Sequence, residues 1–116
     1  MFKYILILFS LLISDNFQNI QVLEHIDSKS KMRKYMKSIS KDLGVECRFC
    51  HDMDDKSLDT PHKEIAREMI LLTRQINDYL HAFEASEEDE EKAITITCWT
   101  CHKGHAEVQT LRPESE

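Results

Sequence analysis

The chain has 116 residues, a formal net charge of −6, two glycines and two prolines. This length predicts one small domain, and the scarcity of glycine and proline disfavours long loops and β-turns and favours helices. Charged residues make up 31% of the chain, so there is limited apolar material for a core, and no basic stripe typical of nucleic-acid binding is present.

The N-terminus has the pattern of a secretory signal. Lys3 precedes a mostly apolar run at residues 4–13, which is too short for a standard transmembrane helix. We predict a signal peptide at residues 1–15, with an uncleaved N-terminal membrane anchor as the alternative. Both place residues 16–116 outside the cytoplasm, in the periplasm or otherwise exported.

Two segments precede the first cysteine. Residues 15–27 are weakly periodic, and Ile20, Leu23 and Ile26 suggest a short helical lead-in. From residue 28 to residue 43 the apolar side chains recur at steps of three and four, which predicts an amphipathic helix. Gly44 is a suitable C-cap, because glycine adopts left-handed backbone at little cost. The apolar positions are Met32, Tyr35, Met36, Ile39 and Leu43.

A Cys-x-x-Cys-His motif follows at residues 47–51 and recurs at residues 98–102, so the two copies use all four cysteines. This motif is the attachment site of c-type haem. Two thiols three residues apart can add to the two vinyl groups of one porphyrin, and the next histidine can bind its iron. The motifs predict two covalent haem c groups, attached through Cys47, Cys50, Cys98 and Cys101.

Paired cysteines also have roles other than haem attachment. Four cysteines can form one structural zinc site, two disulfides in an exported domain, or a thioredoxin-like redox motif. None of these requires a histidine after the second cysteine in both copies. Haem is therefore the favoured interpretation, and zinc is the main rival.

A long helix is predicted over about residues 60–84, with Thr60 as N-cap and Pro61 at its first position. The acidic run at residues 84–92 either extends this helix or forms a linker. Residues 93–97 alternate in polarity and are expected to be extended, leading to the second motif, and the tail from residue 105 is expected to be loosely held. The apolar stripe of the helix comprises Ile65, Met69, Leu72, Ile76, Leu80 and Phe83.

These elements predict an all-α fold, with few helices wrapped around two covalently bound haems. Each half consists of a methionine-bearing helix, a connection and a haem motif. The porphyrins would supply apolar surface that the chain lacks, so we expect the haem-free chain to be poorly folded.

Each haem iron needs two axial ligands. His51 and His102 are the proximal candidates, with the other ring nitrogen of each donating to a main-chain carbonyl. Met36 and Met69 are distal candidates, although methionines at helical spacing are often core fillers. Spacing alone leaves the distal position open, and the competing histidines are His25, His62, His81 and His105, with His81 the strongest rival.

Flanking residues add a family resemblance. Residues 36–51, with Met36, Leu43-Gly44-Val45 and the first motif, resemble the methionine-helix and haem unit of the multihaem cytochrome subunit of photosynthetic reaction centres. Residues 66–77 and 97–104 resemble its next unit. The resemblance implies that Met36 pairs with His51 and Met69 with His102. Larger members carry four haems, and the acidic stretch after Phe83 resembles an insertion.

The predicted function is electron transfer by an exported dihaem c-type cytochrome with His/Met ligation, rather than enzymatic catalysis. The alternative is a haem enzyme, or a redox or gas sensor, with an exchangeable distal ligand. The expected partners are donor and acceptor redox proteins, with peripheral or N-terminal membrane association possible. A basic early helix and the acidic run are either solvated faces or an electrostatic docking surface.

Overall fold

The computed structural model describes residues 17–84, 94–112 and 114. Within these residues the fold is helical, without strands: α1 is Lys29–Leu43, α2 is Pro61–Glu84 and α3 is Cys98–His102, and a 3-10 turn at Cys47–Phe49 lies between α1 and α2. The predicted signal peptide and nearly all of the acidic run lie outside the described residues. Among the helices that are described, none combines the length and apolarity needed to span a bilayer.

Helix α1 has the predicted ends. The Ser28 hydroxyl accepts a hydrogen bond from the Lys31 amide at 3.3 Å, which satisfies one of the free N–H groups of the first turn. Gly44 follows the last turn with φ of 64°, and its amide donates to the carbonyls of Lys41 and Ser40. A glycine in this conformation ends a helix without strain.

Helix α2 also begins as predicted. The Thr60 hydroxyl accepts from the Lys63 amide at 3.2 Å and donates to the Cys50 carbonyl. One side chain thus caps the helix and fastens its start to the first haem motif. The start of α2 is thereby fixed against the residues that follow α1.

The predicted helical lead-in is wrong. Residues 17–28 form bends and turns, and two of their carbonyls accept hydrogen bonds from α2 instead of from the next helical turn. Arg67 donates to the Asn19 carbonyl at 3.3 Å, and Arg74 donates to the Val22 carbonyl at 2.6 Å. Of the apolar residues that suggested a helix, Leu23 and Ile26 are buried and Ile20 is half-buried.

Residues 94–97 were predicted to be extended; they form neither helix nor strand, and Thr97, the last of them, has an extended backbone. The side-chain amide of Asn77 on α2 takes the place of a neighbouring strand, because it bonds the main chain of Ile96 in both directions, at 2.8 Å to the N–H and 3.0 Å to the carbonyl. These two hydrogen bonds fix the path of the chain into α3.

The protein core is very small. In the described part of the chain only Val22, Leu23 and Ile26 are buried, and they pack against α1 and α2. Three buried residues are too few to stabilise a chain of this length, and a metal, disulfides or a cofactor can supply what such a core lacks. Two clefts lie where a larger apolar core would otherwise be.

Candidate haem-binding site

The first motif is wound into a compact turn that brings its functional side chains together. Cys47–Phe49 form the 3-10 turn, and the His51 amide donates to the Cys47 carbonyl at 2.9 Å. The two cysteines and the histidine therefore lie within one helical turn, the arrangement that attachment to one porphyrin requires.

The second motif is a short helix with capped ends. Thr97 and Thr100 form a reciprocal capping box at the start of α3, in which the Thr97 amide donates to the Thr100 hydroxyl at 3.0 Å. Lys103, with φ of 54°, ends the helix, and its amide donates to the Trp99 carbonyl. Both motifs are thus held in helical turns by their immediate neighbours.

The two motif histidines are oriented in the same way. Nδ1 of His51 lies 3.1 Å from the Lys56 carbonyl, and Nδ1 of His102 lies 2.9 Å from the His105 carbonyl. A carbonyl can only accept, so Nδ1 carries the proton and Nε2 keeps its lone pair. These are the main-chain contacts expected of histidines that bind a metal through Nε2.

The first cleft encloses about 720 Å³ including its open mouth, and Met36, Cys47, Cys50 and His51 all line it. The methionine comes from α1 and the other three from the motif after it, so the Gly44 turn brings the two together. Sequence reasoning did not anticipate that the lead-in would form part of the wall. Its contribution consists of Asn19, Ile20, Gln21, Val22 and Leu23.

The second cleft encloses about 1040 Å³, and Met69, Cys98 and His102 line it. Cys101 lies on α3 next to His102 but is exposed and is not part of the lining. Each cleft combines a methionine sulfur with an imidazole nitrogen, a donor set that suits haem iron.

The clefts share a wall. Four residues line both of them: Ile39, Cys50, Ala66 and Ile70. At the edge of this wall Phe49 stacks on His62, with ring centroids 4.1 Å apart, and both residues line the second cleft. A residue of the first motif therefore contributes to the surroundings of the second cleft.

Two glycines lock the halves of the chain together. The Gly104 amide, just after the second motif, donates to the Asp42 carbonyl at 2.8 Å, just before the first motif. A Cβ on Gly44 would lie 2.1 Å from the Gly104 carbonyl oxygen. The two backbones approach so closely that no side chain fits between them.

The four histidines that compete for the distal position differ in whether they line a cleft. His81, the strongest rival by sequence, lies 3.3 Å from the Thr95 hydroxyl and lines neither cleft. His25 and His105 are exposed and line neither. His62 does line the second cleft, and its Nδ1 lies 2.9 Å from the Phe49 carbonyl. His62 thus lines the same cleft as the predicted ligand Met69, which the sequence did not indicate.

The four cysteines are unpaired, and in the described residues no group of three or more His, Cys, Asp or Glu side chains is placed to hold a metal ion. The structure therefore does not bring the two cysteine pairs together as ligands of one zinc ion. Burial raises the pKa of the Cys50 and Cys98 thiols, and nearby Asp42 raises the pKa of Cys98 further.

A helical chain whose Cys-x-x-Cys-His motifs lie beside apolar clefts is the arrangement of a c-type cytochrome. The profile of the photosynthetic reaction centre cytochrome C subunit family matches residues 10–111. The chain belongs to this family, whose members are electron-carrying cytochromes with haem c and redox partners. Comparison with the curated proteins and with solved structures gives no significant match.

Proposed function

We propose that this chain is an exported dihaem cytochrome c that transfers electrons. Residues 16–116 form the haem domain, and residues 1–15 direct its export to the periplasm. His51 and Met36 ligate the first haem, and His102 and Met69 ligate the second. The observation that carries this proposal is that each cleft contains one oriented motif histidine and one methionine from a preceding helix.

The residues of the chain perform three tasks in this function. The cysteines would anchor each haem, the histidine and methionine would ligate its iron, and the apolar walls would exclude water. The bound haems supply one-electron chemistry between ferrous and ferric iron. Fixed ligands and a dry surrounding keep the rearrangement of each site small when an electron arrives or leaves.

The common wall supports exchange of electrons between the two sites. Cys50 belongs to the first attachment site and lines both clefts, so haems bound in the two clefts would lie on either side of this wall. Donor and acceptor redox proteins would then exchange electrons at different haems of one chain.

The proposal is tested by removing one attachment site at a time. Cys47→Ala with Cys50→Ala should halve the covalently bound haem per chain, because the second motif retains both of its thiols. Cys98→Ala with Cys101→Ala is the matched control and should also leave half, at the other site. Haem content per polypeptide is measured after denaturation. A full haem complement in either double variant would contradict attachment at that motif.

A haem enzyme or a redox or gas sensor is the second candidate, and one observation favours it. The second cleft holds both Met69 and His62, so two potential distal ligands lie on the same helix. A distal ligand that exchanges would leave an iron position open to a substrate or a gas. Cyanide binding and a high-spin spectrum in the resting protein would support this candidate, and their absence would support the electron carrier.

A further inference from the structure

Lys63 on α2 is a nearly buried cation at the first cleft. Its side chain is 13% exposed, and the residue lines the cleft. The ammonium group donates to three successive carbonyls, of Lys56 at 3.1 Å, Ser57 at 2.8 Å and Leu58 at 3.0 Å. A charged group so thoroughly enclosed by main-chain oxygens is fixed in position.

One of these carbonyls is also the partner of the proximal histidine. The Lys56 carbonyl accepts from Lys63 Nζ and lies 3.1 Å from His51 Nδ1. The ammonium and the imidazole N–H therefore share one oxygen. Lys63 is not part of the second cleft, whose histidine uses the His105 carbonyl.

Lys63 belongs to a group of four charged side chains. The Asp59 carboxylate lies 3.6 Å from Lys63 but 2.8 Å from Arg67, and the Asp55 carboxylate also interacts electrostatically with Lys63. Removal of the Lys63 charge would change this group from two cations and two anions to one cation and two anions, so its net charge would fall by one unit beside the first cleft.

We infer that Lys63 raises the reduction potential of the first haem, selectively, through the carbonyl that it shares with His51. This inference rests on the proposed function. A nearby positive charge favours ferrous over ferric iron, because the ferrous site carries less positive charge. A carbonyl already bonded to an ammonium is also a weaker acceptor for His51, which makes the imidazole a less basic ligand and favours ferrous iron again. Lys63 is thus a positioning residue that distinguishes the two haems.

The test is a redox titration of the haem-loaded full chain, followed by visible absorption. In Lys63→Met the ratio of ferric to ferrous first haem, at a fixed poise, should rise about tenfold, equivalent to about 59 mV for one electron. The second haem should titrate as in the unsubstituted protein. The first haem is recognised as the wave that is lost in Cys47→Ala with Cys50→Ala.

Three further variants separate the charge from the fold. Lys63→Arg keeps the cation. Its ratio of ferric to ferrous first haem, at the same poise, should therefore lie within about twofold of the ratio in the unsubstituted protein. Lys63→Gln keeps a donor without charge, should lower the potential as Lys63→Met does, and serves if the methionine variant does not fold. Lys56→Met removes an exposed charge but retains the shared carbonyl, so its titration should be unchanged.

The outcomes distinguish this inference from the proposed function. An unsubstituted protein with fewer than two haems would refute the function itself. With both haems present, an unchanged first wave in Lys63→Met and Lys63→Gln would overturn the role of Lys63. Equal shifts of both waves, or an equal shift in Lys56→Met, would also overturn it, because the effect would then be a general one of surface charge.

Discussion

Replacement of Gly44 by alanine should destabilise the haem-loaded protein by about 2–5 kcal/mol. Gly44 has a left-handed backbone with φ of 64°, and its new Cβ would lie 2.1 Å from the Gly104 carbonyl oxygen. The backbone strain of alanine at positive φ and the clash between the two main chains both lower the stability, and their effects add. Because Gly44 and Gly104 flank different motifs, relief of the clash has to move the two halves apart. Urea unfolding followed by far-ultraviolet circular dichroism measures the loss.

Gly104→Ala is the matched control for this prediction. Gly104 also has positive φ, of 84°, but its Cβ would meet only the Trp99 ring, at 3.1 Å and 3.7 Å. A side chain can rotate away, whereas a carbonyl in a hydrogen-bonded turn cannot. Gly104→Ala should therefore cost less than Gly44→Ala. Equal costs would show that backbone strain alone, and not the contact between the halves, determines the effect.

Met36→Ala and Met69→Ala should each convert half of the haem from low spin to high spin, and the two variants should affect different haems. Loss of the thioether leaves the iron with only its histidine and a weak or absent sixth ligand. Visible absorption and paramagnetic resonance of the ferric protein report the spin state. The double variant should be high spin throughout.

Met32→Ala is the control on the same helix. Met32 lies one turn before Met36 and packs on the buried lead-in cluster, so its loss should lower stability and leave both haems low spin. A fully low-spin Met36→Ala would refute ligation by Met36. A low-spin Met69→Ala would refute ligation by Met69 and indicate His62, the other potential ligand in the second cleft.

The helices were predictable because their signals are local. Apolar spacing, the Thr60 cap and the Gly44 turn act within a few residues of the backbone groups that they satisfy, and both ends of α1 and the start of α2 are those expected. The extended approach to the second motif was likewise visible in residues 94–97.

The lead-in was predicted incorrectly because its conformation depends on distant residues. The spacing of Ile20, Leu23 and Ile26 fits a helix, but Arg67 and Arg74 take up the carbonyls of this segment across about fifty residues of sequence. Propensity is a weak prior where tertiary bonds compete with it. No sequence signal marked the lead-in as a wall of the first cleft.

The candidate site was likewise predictable from the sequence only in part. The motifs identify the cysteines and histidines directly, whereas the pairing of methionine with histidine came from family resemblance, and the position of each pair in one cleft is a property of the folded chain. The stack of Phe49 on His62 and the carbonyl shared by Lys63 and His51 join residues 13 and 12 positions apart, and neither pair has a recognisable motif.

The central claim is that two porphyrins are covalently attached to this polypeptide. Mass spectrometry of the denatured mature protein, produced in cells that make c-type cytochromes, measures this directly. The account predicts the mass of the polypeptide plus two haems. A single species with the mass of the polypeptide alone would contradict it.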